Sequence, residues 1–203
     1  MPEYKLIYFN SRGRAELTRW IFAYGGIPYT DERIEKVDWP ERKKDIIGGK
    51  LPVLMVDGRT LTQSLAIARY AAKRVGLVPE DELEAAYCDA LVDTVYDFLP
   101  SWRKTITSEK SEEDKIKDFN LVFYPTFLEP LMIRLDKRLR EREWFISDKI
   151  TWADLMIGII FGAVKRTSGK LLDNFPSLLA HVNKLEALPK IKEWIDKRPQ
   201  TVV

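Results

Sequence analysis

Residues 49–64 read Gly49-Lys50-Leu51-Pro52-Val53-Leu54-Met55-Val56-Asp57-Gly58-Arg59-Thr60-Leu61-Thr62-Gln63-Ser64. Two short apolar or β-branched runs flank Asp57-Gly58, a dipeptide suited to the positive φ angles of a tight antiparallel hairpin. Pro52 opens the first run, and a proline there, just after a glycine-containing turn, is a place where a cis peptide can sit. Ser64 stands where a helix cap belongs, because Leu65 to Arg74 follows with helical apolar spacing and stops at Gly76. The stretch therefore predicts strand, turn, strand, helix.

Upstream of it, Tyr4 to Phe9 is rich in aromatic and β-branched residues and predicts a strand. Ser11-Arg12-Gly13 interrupts it. From Ala15 to Tyr24, Leu17, Trp20, Ile21 and Tyr24 fall at helical spacing, and Gly25-Gly26 is a helix stop. Tyr29 to Ile34 predicts a second strand, so a helix crosses between two strands in the manner of a parallel βαβ unit. The first 76 residues thus predict a βαβ-ββα half with a small mixed sheet. Residues 77–80 read as a linker, and residues 81–203 as an all-helical half with almost no strand signal. In that half Leu83, Tyr87, Leu91, Thr94 and Phe98 share one helical face. A further helical run carries Pro125 and Pro130, which should bend it. Thr151 to Lys165, Pro176 to Glu186 and Pro189 to Lys197 complete the set.

Composition narrows the chemistry. Of 203 residues 45% are apolar and 32% charged, which is globular, and 33 basic residues against 31 acidic leave a formal charge of +2. That balance supplies no basic excess for phosphate neutralisation, so no nucleic-acid partner is expected. One cysteine, Cys88, excludes an intramolecular disulfide, and with one histidine, His181, it excludes the common zinc sites. No metal is expected. Leu155 to Val164, the longest apolar run, is too short to span a bilayer. Met1-Pro2-Glu3 opens no signal peptide. A cytoplasmic protein in a reducing compartment, without a membrane partner, is the expectation.

Three groups carry binding chemistry. Gly49-Lys50-Leu51-Pro52 would leave the Leu51 backbone at a sheet edge able to pair with an extended peptide, or is an ordinary strand start. Gln63 and Ser64, ahead of a helix, could hold a carboxylate and an amine, or simply cap the helix. Trp39, Lys43, Lys44 and Lys50 could hold a second carboxylate, or form a solvated face. Together they outline a peptide-like ligand with charged ends. In the helical half Thr151 and Asp154 have the spacing of a capping box, with Ile150 and Leu155 at the staple positions, which makes Asp154 structural. Cys88 reads as a helix-core residue and His181 as incidental.

Tyr8, Gly-Arg-Ala-Glu at 13–16, Asp-Trp-Pro at 38–40, Gly-Lys-Leu-Pro at 49–52 and Gln-Ser-Leu-Ala-Ile-Ala-Arg-Tyr at 63–70 resemble the cytosolic glutathione transferases. The class they most resemble is sigma, which includes haematopoietic prostaglandin D synthase. Val-Asp-Thr at 92–94 with Asp97, Thr-Trp-Ala-Asp at 151–154 and Lys-Arg-Pro-Gln-Thr at 197–201 extend the resemblance over essentially the whole chain. It implies a thioredoxin-like domain followed by a helical domain, with glutathione as co-substrate and no metal requirement. Tyr8 would be the catalytic hydroxyl that holds glutathione as thiolate, with Arg14 a nearby cation. Trp39, Lys43 and Lys50 would contact the glycyl end, Leu51 the cysteinyl backbone, and Gln63 and Ser64 the γ-glutamyl end. Gly49 and Pro52 complete the glutathione-binding set. Asp97 would reach the γ-glutamyl amine from the neighbouring subunit of a homodimer. Phe9, Ser11, Leu99, Trp102 and Trp152 would line the pocket of a hydrophobic electrophile, in a detoxifying conjugation.

Leu99-Pro100-Ser101-Trp102 departs from the vertebrate prostaglandin synthases, and Tyr96 stands where they carry a further acid beside Asp93 and Asp97. Their divalent-cation site and efficient prostaglandin D synthesis are therefore not implied for this chain. A glutathione-dependent prostaglandin isomerase and a non-catalytic descendant, crystallin-like or a ligand carrier, are the alternative readings. The missing Cys-x-x-Cys argues against a disulfide oxidoreductase.

Overall fold

A computed structural model of the chain describes residues 2–97, 99–100, 109–167 and 169–201. Four strands, β1 (Tyr4–Phe9), β2 (Thr30–Ile34), β3 (Val53–Val56) and β4 (Arg59–Thr62), form one sheet in the order β2-β1-β3-β4. β1 runs parallel to β2, with Lys5 beside Thr30 and Phe9 beside Ile34. It runs antiparallel to β3, which pairs antiparallel with β4. The mixed βαβ-ββα sheet read from the sequence is thus present. Asp57 and Gly58 turn the hairpin with φ of 48° and 77°, the positive pair that such a turn demands.

The crossover helix α1 (Glu16–Gly25) ends as the glycines foretold: Gly26 has φ 63°, and Ile27 N–H donates to Phe22 O at 2.9 Å. α1 buries Leu17, Trp20, Ile21 and Phe22 and packs on α3 (Ser64–Arg74), whose Ile67, Ala68, Ala71 and Ala72 are buried. A Cβ at Gly25 would stand 2.2 Å from Val75 Cγ1, so only glycine fits there. On another side of the sheet Ile7, Ile34, Ile46 and Val53 cluster, with Trp39, Leu51 and Met55 packed against them. Trp39 opens a helix absent from the sequence reading, α2 (Trp39–Asp45). Its sequence WPERKKD has no apolar stripe to mark it. What it has is a proline in the first turn and cations in the last.

The described chain divides into two compact units, residues 1–78 with 186–203, and residues 79–185. The second contains α4 (Glu82–Asp97), α5 (Glu112–Asp118), a stretch of wider π-type turns at Phe119–Leu128, α6 (Glu129–Glu141), α7 (Trp152–Thr167) and most of α8 (Pro176–Glu186). Pro125 lies inside the wide turns, where a missing N–H is tolerated. Leu83 and Tyr87, read on one face with Leu91 and Thr94, are 59% and 53% exposed. The face α4 buries carries Cys88, Val92 and Val95. Phe98 lies outside the described residues.

The last helix, α9 (Pro189–Lys197), was read with the helical half. By its contacts it belongs to the first unit, on α1. Ile191 is fully buried there, and a buried carboxylate ties the segment down: Glu16 accepts from Trp194 Nε1 at 3.0 Å and from Arg198 Nη1 at 2.5 Å. Among the described residues no helix is long and apolar enough to cross a membrane.

Candidate active site

One end of the sheet gathers the residues singled out in the first unit. There β1 and β2 finish, β3 begins, and β4 finishes, since Ile7 pairs with Val53 and Val53 with Thr62. Tyr8 is the penultimate residue of β1 and is 9% exposed. Its Oη accepts a hydrogen bond from the backbone N–H of Arg14 at 3.2 Å. Arg14 was read as a nearby cation. What the structure places on the phenol oxygen is its main-chain donor, while its side chain is exposed. With that lone pair engaged, the phenolic proton is the group Tyr8 has to offer outward.

Gly13 makes this approach feasible. It has φ 40°, and a Cβ there would stand 2.6 Å from Tyr8 Oη. The contact of Gly13 with Tyr8 is not visible in the sequence. Arg19 is also new. It is fully buried beneath the same loop, its Cζ 5.9 Å from the Tyr8 ring centroid.

Around Tyr8 the aromatic side chains run on in contact. The Tyr8 and Phe9 rings are 5.6 Å apart, and those of Phe9 and Trp39 5.2 Å, both edge-on. Trp39 is half-buried against Leu51 and the isoleucine cluster. One turn along α2, Lys43 lies over Gly49, whose built Cβ would meet Lys43 Cε at 3.0 Å. Lys43 and Lys50 are exposed, and among the described residues neither has an ion-pair partner. Lys44, by contrast, is paired with Glu41 at 2.7 Å.

The Leu51–Pro52 peptide is cis. The β1–β3 pairing stops at Val53, so Leu51 lies beyond the ladder. Gln63 has φ 70° and ψ 113°, a conformation side chains rarely adopt. Gln63, rather than Ser64, occupies the cap position of α3, and its side chain makes no capping bond; the helix begins at Ser64, which is buried. The first bond of that helix runs from Ile67 N–H to Gln63 O, so the N–H groups of the turn before it have no partner inside the helix. A strained exposed amide, a buried hydroxyl and a helix N-terminus together suit a carboxylate with an adjoining amine.

Three residues of the reading belong to the second unit. Asp97 ends α4 and is exposed, and Leu99 is half-buried. Trp102 falls outside the described residues. Trp152 was read as lining the electrophile pocket. It is fully buried in the core of the second unit and presents no surface to a ligand. Ser11 and Phe9 are partly exposed.

Asp154 is structural in this geometry. Its carboxylate accepts from Thr151 N–H at 2.8 Å, Thr151 Oγ1 at 2.7 Å and Phe145 N–H at 3.1 Å. The box is one-sided, since the Thr151 hydroxyl donates to the carboxylate instead of accepting from the helix. His181 is not incidental: it is buried between the Trp144 and Phe145 rings, with Nε2 3.2 Å from Asp154 Oδ1. Cys88 is buried, and loss of solvent pushes its thiol up to about 11.

Comparison with known proteins places the chain in a family. The model of the glutathione S-transferase N-terminal domain matches residues 4–73, and that of the C-terminal domain matches residues 96–198. The chain is 46% identical over 202 residues to hematopoietic prostaglandin D synthase from Homo sapiens, covering 99% of each. It superposes on the rat prostaglandin D synthase complexed with a quinoline with a TM-score of 0.89, at 44% identity and 100% coverage of both chains. A monomeric glutathione S-transferase from the hookworm Necator americanus gives a TM-score of 0.90 at 35% identity, covering 99% of this chain and 100% of that one.

Proposed function

The chain belongs to the glutathione S-transferase family, in its sigma-like class, and from that premise we infer that it binds glutathione across the sheet end and activates its thiol through Tyr8. The observation that carries this reading is the Arg14 N–H on Tyr8 Oη at 3.2 Å. It draws electron density from the phenol oxygen, so the phenolic O–H is a stronger donor to an incoming sulfur. A thiol of pKa about 8.5 is only a few per cent ionised at neutral pH. A hydrogen bond to the charged form lowers that pKa, and each unit corresponds to about 1.4 kcal/mol of preference for thiolate. The thiolate then attacks a hydrophobic electrophile reaching it on the side of Phe9 and Ser11. Lys43 and Lys50 with Trp39 take the glycyl carboxylate, the Leu51 backbone the cysteinyl unit, and Gln63 and Ser64 the γ-glutamyl end. Asp97 of a second copy completes that end in a homodimer.

The test is the ultraviolet absorbance of glutathione thiolate titrated against pH. With the wild-type protein the midpoint falls at least one unit below that of free glutathione. Cys88 stays protonated through that range and adds no signal. Tyr8→Phe brings the midpoint back up and lowers turnover at least tenfold, leaving glutathione affinity within about twofold. A Tyr8→Phe variant with wild-type thiol pKa and turnover removes Tyr8 from the mechanism.

The similarity to prostaglandin D synthases favours a second reading, isomerisation of a prostaglandin endoperoxide by the same thiolate. Product analysis with that endoperoxide separates it from conjugation. A carrier role would leave the bound thiol unshifted.

A further inference from the structure

The loop that shapes Tyr8 is held from beneath by Arg19. This guanidinium, on the second turn of α1, is fully buried, an expensive position for a charge without close partners. Nη1 donates to the carbonyl of Ser11 at 2.7 Å and more weakly to that of Arg12 at 3.4 Å. Nε donates to Asp31 Oδ1 at 3.1 Å, whose other oxygen takes Arg33 Nε at 2.8 Å. Behind Arg19 stands Glu16, 3.4 Å from Nη1 and tied in turn to Arg198. The two carbonyls it holds immediately precede Gly13 and Arg14, the residues that touch the Tyr8 hydroxyl.

Two independent contacts thus run from one side chain to Tyr8. One is the clamp on the loop that delivers Arg14 N–H; the other is the cation 5.9 Å from the phenol ring. Among the described residues the charged group facing the phenol ring is Arg19, with Glu16, Asp31, Arg33 and Arg198 around Arg19 and its carboxylates. We propose that Arg19 is a positioning residue for Tyr8: by clamping residues 11–12 it keeps the Arg14 N–H on the phenol oxygen and so sets the pKa of the bound glutathione thiol. The proposal rests on the Tyr8 reading above. Arg19 is fully buried and offers no surface to a ligand.

Arg19→Lys keeps a positive charge and loses the planar fork that spans the carbonyls and the carboxylate together. In the folded variant the bound-thiol pKa rises by about half to one unit. The midpoint of the kcat–pH profile rises by the same amount. Turnover at pH 6.5 falls about three- to tenfold, KM for glutathione stays within about twofold, and turnover converges on wild type at pH above both midpoints. A merely structural role would lower the active fraction equally at every pH and leave the midpoint in place. A folded Arg19→Lys with the wild-type midpoint overturns the proposal. If Arg19→Lys does not fold, Asp31→Ala, which removes the partner of Arg19 Nε, decides by the same titration: a raised midpoint supports the clamp and an unchanged one overturns it. Tyr8→Phe runs in parallel. If it raises the thiol pKa and the clamp variant does not, only the clamp is wrong; if Tyr8→Phe leaves the pKa unchanged, both readings fall.

Discussion

At Gln63 the backbone itself is informative. A non-glycine residue at φ 70°, ψ 113° costs about 1–3 kcal/mol relative to a relaxed conformation. The side chain makes no capping bond that would offset this, and the proposed contact with the γ-glutamyl end of glutathione would supply a reason to keep it. Glycine adopts the same angles freely. Gln63→Gly is therefore expected to leave unfolding free energy unchanged or raise it by up to about 2 kcal/mol, while glutathione binding weakens roughly tenfold. Urea denaturation and calorimetric titration read the two effects separately; a variant that is less stable yet binds normally contradicts a binding role. Residue identities made much of this site legible: an aromatic at a strand end, a proline before β3, Gln-Ser before α3. Two features were not legible. Arg14 acts on Tyr8 through its main chain, which no side-chain pattern encodes. Arg19 reads as one more surface cation on a helix, because the contacts that justify its burial come from the β1–α1 loop, Asp31 and a carboxylate shared with Arg198.

At the scale of elements, apolar periodicity found the helices that have a stripe to bury and missed α2, which has none. What seats α2 is Trp39 against a cluster drawn from four separate segments. The start of α8 was placed by Pro176, but what holds it is remote in sequence. Asp136, buried on α6, accepts from Ser177 N–H at 2.8 Å and Leu178 N–H at 3.0 Å, and also takes Arg140. A carboxylate from another helix thus serves as the N-terminal cap, where the positive end of the helix dipole favours it. Asp136→Ala strands two N–H groups, one buried at Leu178 and one part-buried at Ser177. It should lower stability by about 1–3 kcal/mol, seen as a fall in urea midpoint with unchanged m. Exposed Asp173 serves as the control, its alanine variant staying within about 0.5 kcal/mol. Equal effects from the two substitutions would mean that the cap contributes nothing.

At the scale of the molecule, the sequence marked a change of character near residues 77–80, but it could not show that residues 186–203 return to the first unit, since the groups that meet there, Trp194 and Arg198 on the buried carboxylate of Glu16, are 178 and 182 residues from it in the chain. The second unit raises the question of a partner copy. Along α4, Leu83 and Tyr87 are more than half exposed, and Asp97 lies at the end of the same helix. Apolar side chains left on the surface of a helix are what a second copy would cover in a homodimer with shared sites. Sedimentation equilibrium at micromolar protein is expected to give twice the chain mass. Asp97→Asn should then weaken glutathione binding about five- to tenfold through the lost charge-assisted bond to the γ-glutamyl amine, without moving the bound-thiol pKa, because Asp97 bears on the far end of the ligand from the sulfur. A monomer whose Asp97→Asn variant binds as tightly as wild type would leave Asp97 an exposed helix-end carboxylate and confine the glutathione site to one chain. A dimer with unaffected binding would keep the interface and remove Asp97 from it.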